Sequence, residues 1–359
     1  MKKYVPKNLR ALIKIICLVL LCLLLILPLP YRIEIPGEAK PLNESIVVSG
    51  HGAPVRSGGG FYLPTVKTAP VNISLLIYNL FDRYSEIHPL TSEAQAMSKK
   101  QQEETISQLQ MRVSENIAVW EAFRLAKKPI DFEYGGAYVT EVARYSSFHN
   151  KLRPLDLITH LDGQRFESNE EMLDYIKKQK VGDQVTLKYQ REMDGEKKEQ
   201  EVEGNYIQLD NGKTGIGMSL MENTSLISNP EVKIKVGDIS GPSGGLLFTL
   251  DIYSKLTGKD ITKGRKVAGS ASITVGGAVW PVGGIRQKVV AAERQDIDVF
   301  FVYSNGRAVG DYNYLEAKET VKWLRSDMSI IPIDNVNDAI EYLEGRNRTW
   351  IQGSDAKDV

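Results

Sequence analysis

The chain has 359 residues, 42% of them apolar and 25% charged, with 45 basic side chains balanced by 45 acidic ones. That length suggests two or three domains, the composition is that of an ordinary globular protein with an extra hydrophobic piece, and the charge balance excludes a basic nucleic-acid binder. The only cysteines, Cys17 and Cys22, fall inside the hydrophobic piece, which leaves the remainder without disulfides or thiol chemistry.

That piece comes first. Residues Ala11 to Leu29 are almost unbroken Leu, Ile, Val and Cys, with Lys14 near enough to the end to extend toward headgroups. At about 1.5 Å per residue the stretch just crosses a hydrocarbon layer. Lys2, Lys3, Lys7, Arg10 and Lys14 have no acidic partner nearby, so the positive-inside bias places the N-terminus in the cytoplasm and everything after Tyr31 outside. A cleaved signal peptide is the competing reading, but Pro28-Leu29-Pro30-Tyr31 is a poor cleavage site. Setting the five basic residues aside leaves 40 basic against 45 acidic, a mildly acidic outer portion.

From Tyr31 to about Val71, Ile46-Val47-Val48 and Phe61-Tyr62-Leu63 flank Gly58-Gly59-Gly60 and predict short strands and turns. Between Ser92 and Lys127, Ile106, Leu109, Val113, Ile117 and Trp120 recur every three or four residues, which predicts a helix packed along one stripe. From Pro129 to Glu203, runs such as Tyr138–Val142 and Val185–Tyr189 alternate with loops, and Ser168-Asn169-Glu170-Glu171 marks a capping-box helix start. His149 and His160 lie in this module, unclustered, and suggest no metal site.

The chemistry gathers further on. Val232, Ile234 and Val236 alternate with lysines as a half-buried strand, Gly237 to Pro242 breaks the extension, and a helix opens at Gly244 and closes near Gly258. Ser243 therefore stands at a helix N-terminus among small neighbours Gly241, Pro242 and Gly244, where free amides and the helix dipole suit an oxyanion. A serine there is also an ordinary N-cap. No histidine lies beyond His160, so the remaining candidate base is a lysine. Lys288 follows Gly283-Gly284 at the start of another helix, with Val282, Ile285, Val289 and Val290 able to wall it off. Alone it reads as a solvated helix lysine; with Ser243 and the double glycine it reads as the base of a Ser-Lys hydrolase. Asp238 is close enough in sequence to tune the lysine, although a turn carboxylate capping local amides is the commoner role.

Two resemblances add to this. Gly135-Gly136-Ala137-Tyr138-Val139 looks like the carboxylate-binding loop and groove strand of a PDZ domain, and Leu152-Arg153-Pro154-Leu155-Asp156-Leu157-Ile158 resembles its Leu-x-Pro-Gly-Asp-x-Ile turn, with Leu155 in place of glycine. That resemblance implies a peptide added to an exposed strand edge, or a spacer whose groove is filled by its own chain. Gly241-Pro242-Ser243-Gly244-Gly245 and Gly283-Gly284 with Lys288 resemble the proteolytic domain of Lon, assigning nucleophile to Ser243 and base to Lys288. Gly244 stands where alanine is commoner, Arg286 replaces a lysine, and Ser270 and Ser272 stand where threonines are typical, with hydroxyls that orient the lysine or line the cleft.

The whole order resembles the Lon-like PDZ-containing membrane serine proteases of Gram-positive bacteria, the YlbL/SepM type. The implied architecture is α+β and multidomain: cytoplasmic residues 1–10, a transmembrane anchor 11–30 in lipid, an N-terminal β/helical region 31–128, a PDZ-like domain 129–204, a Lon-type domain 205–345 and a tail 346–359. The implied activity is cleavage, without ATP or any other cofactor, of extracytoplasmic peptides or flexible segments of regulatory proteins, including maturation of a secreted signalling peptide. Partners are then a peptide or protein substrate and membrane lipid, with an oligomer open. A catalytically silent PDZ/Lon-fold adaptor, or an esterase on small molecules, stands as the alternative.

Overall fold

The computed structural model describes residues 14–16, 18–19, 23, 25–52, 58–79, 82–89, 96–193, 196–237, 239–304 and 312–345. The segments 1–10 and 346–359 lie outside them, as does part of the expected anchor. Described anchor residues up to Ile26 are helical, and among the described residues no helix is long and apolar enough to cross a membrane. The anchor was expected to run to residue 30, but Pro28 to Pro30 already belong to the first strand. Proline has no amide to continue a helix, so the backbone turns extended there.

That strand, β1 (Pro28–Pro41), is followed by β2 (Ile46–Val48), β3 (Gly60–Asn72), α1 (Ile73–Asn79), β4 (Glu86–Pro89) and the long α2 (Ala96–Leu125). Next come β5 (Ile130–Val142), β6 (Leu157–Leu161), α3 (Asn169–Lys177), β7 (Gln184–Met193), β8 (Glu196–Asn205), β9 (Ile207–Gln208), β10 (Thr214–Gly215), β11 (Met218–Ser228) and β12 (Val232–Ile234). A 3-10 turn, Pro242–Gly244, runs into α4 (Gly245–Thr257). Then follow β13 (Lys266–Ser270), β14 (Ser272–Ile273), β15 (Val279–Trp280), α5 (Ile285–Glu293), β16 (Val299–Tyr303), α6 (Tyr312–Leu324), β17 (Ser329–Ile333) and α7 (Val336–Glu344).

Two sheets organise the molecule. The larger has the order β17-β16-β13-β3-β1-β4, with β17, β16, β13 and β3 parallel and β1 antiparallel to both of its neighbours. Its central strands β13 and β16 are buried on both faces, so alternate residues serve opposite cores. Phe61, Val267, Val299 and Phe301 pack with Leu246, Leu247, Phe248, Ala118, Ala122, Ala339 and Ile340 on one side. Ala268, Phe300 and Val302 pack with Ile285, Val289 and Ala317 on the other.

This topology corrects the expected division of the chain. Residues 31–128 were read as a region of their own, yet β1 and β3 are interior strands of the large sheet, with Lys266 paired to Gly60 and Val267 to Phe61. The segment before the PDZ-like module therefore completes the core that the segment after it begins. The second sheet, β11-β5-β6-β7-β8, is antiparallel throughout. With α3 it encloses Phe148, Ile158, Leu161, Met172, Ile176, Val185 and Leu187. The start of α3 is half of the expected capping box: Ser168 Oγ accepts from Glu171 N at 3.1 Å, but the Glu171 carboxylate accepts from Glu167 N instead of the cap residue.

Candidate active site

The loop that carries Ser243 owes its shape to glycine and proline. Gly241 adopts φ 91°, a left-handed conformation that a side chain disfavours, and Pro242 then opens the 3-10 turn. Ser243 follows, partly exposed, immediately before α4. A Cβ at Gly244 would lie 2.6 Å from the Phe248 ring, which is fully buried, so glycine rather than the commoner alanine fits this particular core. At its far end α4 closes on Gly258 in the left-handed conformation.

Lys288 comes from the other side of the sheet. Gly284, at φ 70°, caps α5, and Lys288 lies one turn in, only 7% exposed. Fully buried Ile285 and Val289 flank it. Its ammonium donates to Ser270 Oγ and to the Gly283 carbonyl, both at 2.9 Å. Burial drives the Lys288 amine down from its ordinary 10.5 to about 8, opposed by the nearby carboxylates of Glu34 and Glu316. Burial in turn raises the Glu316 carboxyl, which accepts from the Arg286 amide at 3.2 Å. Arg286 itself reaches Glu86 at 3.3 Å and stacks over Trp323, contacts that suit a guanidinium better than the lysine it replaces.

The two halves of the site meet at the carboxyl end of β13, the usual location of ligand sites in open sheets. Ser270 holds Lys288, and the amide of the next residue, Ala271, donates to the carbonyl of Ser243 at 3.2 Å. Lys288 is thus engaged with Ser270 and Gly283, and not with Ser243. Of the two candidate orienting serines, Ser270 touches the lysine, whereas Ser272 pairs with Trp280 in the β14–β15 hairpin. Asp238 lies outside the described residues. The Gly241 amide, a candidate oxyanion donor, is already donated to the Ser107 carbonyl at 3.0 Å.

The PDZ-like residues require a correction. Gly135, Gly136, Ala137, Tyr138 and Val139 lie in β5, which is not a free edge. Val139 pairs with Leu220, Tyr138 with Met221 and Ala137 with Glu222 on β11, while β6 takes the other side. Asn223 occupies the register shift, and its side-chain amide lies 2.6 Å from where a Gly135 Cβ would be. The groove strand is filled by its own chain, because β11 must cross it on the way back to the large sheet. A cavity of about 650 Å³ does adjoin the module, lined by Ile106, Val142, His149, Leu152, Arg153 and Arg191. Ser243 is not among its lining residues, and Arg191 there is already committed to Asp156.

Sequence reasoning missed the contribution of α2. Ser107 and Ser114, on one of its faces, contact the nucleophile loop. Glu34 and Glu316 were also missed, since they come from β1 and α6, far from Lys288 in sequence.

Comparisons with known proteins agree with this layout. Residues 109–203 match the PDZ domain family model, and residues 198–344 match the C-terminal proteolytic domain of Lon protease, S16. The Lon protease of Metamycoplasma arthritidis is 30% identical over 145 residues, 40% of this chain and 16% of that protein. That of the Aster yellows witches'-broom phytoplasma is 29% identical over 122 residues, 34% of this chain and 14% of that protein. The chain spans under a fifth of the length of these curated relatives. The PDZ domain of the SdrC-like protein of Listeria innocua is 37% identical across 24% of this chain and 92% of that structure, at a TM-score of 0.22. One chain thus joins a PDZ domain to a Lon-type proteolytic domain, and the latter is of the serine-peptidase type.

Proposed function

We propose that the protein is a membrane-anchored serine endopeptidase that works without nucleotide, with Ser243 as nucleophile and Lys288 as general base. The observation that carries this reading is a lysine held almost dry, its amine lowered to about 8, on a serine adjacent to the residue whose amide secures Ser243. At neutral pH about a tenth of such an amine is uncharged, against well under a thousandth for a solvated lysine.

The neutral amine turns from Ser270 to accept the Ser243 hydroxyl proton, and Oγ attacks the peptide carbonyl carbon. Catalytic hydrogen bonds commonly tighten only when substrate is bound. The oxyanion falls to amides at the start of α4, Ser243's own among them, since the Gly241 amide is spoken for. The ammonium then protonates the leaving amine, the acyl-enzyme forms, and the same lysine activates water for deacylation.

Membrane attachment finds support in Ile15, Ile16, Leu18, Val19, Leu23 and Ile26, helical residues that expose 48–64% of their surface. With the basic residues before them, they favour a single-pass anchor and an extracytoplasmic catalytic domain. The substrates are then peptides or flexible segments of regulatory proteins outside the membrane, a secreted signalling peptide among them. No Gly-x-x-x-x-Gly-Lys-Ser/Thr motif occurs in the sequence, consistent with cleavage of chains that need no unfolding. Capture in the PDZ groove requires β11 to give way first. The test is cleavage of a library of unstructured peptides by the full chain in detergent, read by mass spectrometry. Wild type cuts and Ser243→Ala and Lys288→Ala do not; equal turnover by all three defeats the reading.

A further inference from the structure

We propose that α2, which precedes the PDZ sheet in the chain, is the positioning element of the nucleophile, and that Ser114 is its principal positioning residue. The proposal rests on the reading of Ser243 as nucleophile.

The loop carrying Ser243 cannot fix itself. It contains Gly237 and Gly241 at positive φ, and among the described residues no side chain caps its 3-10 turn. The Ala271 amide holds Ser243 itself, and the residues leading into it are restrained by α2. The Gly241 amide donates to the Ser107 carbonyl at 3.0 Å, Ser107 Oγ donates to Ser240 Oγ at 3.0 Å, and Ser114 Oγ donates to the Pro242 carbonyl at 2.9 Å. Ser107 and Ser114 are seven residues apart, two helical turns, and share one face. The loop is therefore gripped at Ser240, Gly241 and Pro242, the three residues that lead into Ser243.

Ser114 is the deepest of these contacts, at 3% exposure. Its hydroxyl sits so close to the start of α4 that a Cβ at Gly245 would come within 2.6 Å of it. Only glycine at 245 lets the serine reach its carbonyl. The same helix also holds the β14–β15 hairpin: fully buried Glu121, paired with Arg124, accepts the Gly276 amide at 2.6 Å and so fixes its turn. The Ser243 loop and this hairpin thus both hang from one helix. A displacement of about 1 Å at a reacting group costs on the order of 100-fold in rate, so a single carbonyl anchor next to the nucleophile matters.

The experiment measures covalent labelling of Ser243 by a fluorophosphonate probe in the full-length protein, as a second-order rate constant across pH 6 to 10. Ser114→Ala is expected to slow labelling at least 10-fold, with the profile's midpoint unmoved near pH 8, because Lys288 is untouched. Ser114→Cys, close in size and still a weak donor, is expected to recover part of the loss. Ser254→Ala removes an equally buried hydroxyl that bonds the Lys259 carbonyl at the far end of α4, and controls for simple destabilisation. Labelling of Ser114→Ala within twofold of wild type overturns the proposal, as does an equal loss in Ser254→Ala. Failure of wild type itself to label, with Ser243→Ala as reference, overturns the nucleophile reading and this proposal with it.

Discussion

The two cores of this protein bury polar groups to different extents. Around the PDZ sheet the buried polar side chains are Ser146 and Asp156, and both are satisfied: Ser146 Oγ donates to the Ile216 carbonyl, and Asp156 takes both arms of Arg191. Around the large sheet the interior holds Lys288, Gln287, Lys255, Asp251, Thr249, Ser270, Asn313 and Thr320. Gln287 is fully buried with neither amide atom partnered among the described residues. One core is arranged for cohesion. The other buries many more polar groups, nearly all of them hydrogen-bonded, and among them keeps an amine dry beside a hydroxyl, as expected where a site needs desolvation.

The largest effect separates the cores directly. Lys288→Met keeps the volume, removes the base, and is expected to cut peptide hydrolysis by about 10⁴-fold, no less than Ser243→Ala and no less than the double variant, since the pair acts as a unit. The same substitution should raise stability at pH 7. An amine whose folded value is about 8 against 10.5 costs the native state about 3 kcal/mol when charged. Leaving Ser270 and Gly283 without their donor returns part of that, so the net gain is about 1 kcal/mol. The sign follows from linkage. Between about pH 8 and 10.5 the unfolded chain binds the extra proton, so wild-type stability is greatest above that window and is lost as pH falls through it. The Met variant is flat there, and urea unfolding at pH 7 and pH 10.5 measures the difference.

Asp156→Ala probes the cohesive core. It strands Arg191, a partly buried cation that now bonds the carboxylate at 2.6 and 2.7 Å, and the expected cost is about 3 kcal/mol, read as a lower denaturation midpoint. Ser243 labelling without denaturant should remain within about threefold of wild type. A parallel collapse of labelling would show that the cores unfold as one, through β11 and α2.

Much of the candidate site was legible because its signals are local. Gly241, Gly284 and Gly258 announce strained turns, Ser243 and Lys288 each follow such a turn directly, and the apolar run beside Lys288 foretold its burial. What stayed hidden depends on distant pairing. Alternation in Phe61-Tyr62-Leu63 marks a strand but not its neighbour, and that neighbour, β13, is some 200 residues away. On α2 the visible stripe of Ile106, Leu109, Val113, Ile117 and Trp120 is only half of the packing, since Trp120 meets Phe132 of β5 edge-on. The face toward the other core carries Ser114, Ala118 and Ala122 among Met111, Val119 and Phe123, and it is the small residues, which permit close approach, that the apolar periodicity does not show. The free PDZ edge was misjudged for the same reason: nothing in Gly135–Val139 shows that β11 returns to cover it.

A smaller effect refines the view of the catalytic core. Hydrolysis should rise about tenfold per pH unit below 8 and level off above it, following the neutral lysine. Glu34 acts to raise the lysine, so Glu34→Gln is expected to move the midpoint of that profile down by a few tenths of a pH unit. A midpoint that moves up, or a profile unchanged between pH 6 and 9, breaks the link between desolvation and rate.

The smallest effect lies in the cohesive core and concerns its one departure from the PDZ pattern. Leu155 stands where glycine is usual, and it adopts φ 77°, held there by the hydrogen bond its N–H donates to the Val139 carbonyl at 2.8 Å. A left-handed conformation costs a side-chain-bearing residue about 1–2 kcal/mol. Glycine removes that strain but adds freedom to the unfolded chain, a penalty of about 0.5–1 kcal/mol. Leu155→Gly should therefore stabilise the protein by about 0.5 kcal/mol and leave Ser243 labelling unchanged. A loss of stability instead would mean that the half-buried leucine side chain contributes more to packing than its backbone costs, and that even the cohesive core tolerates strain where a contact repays it.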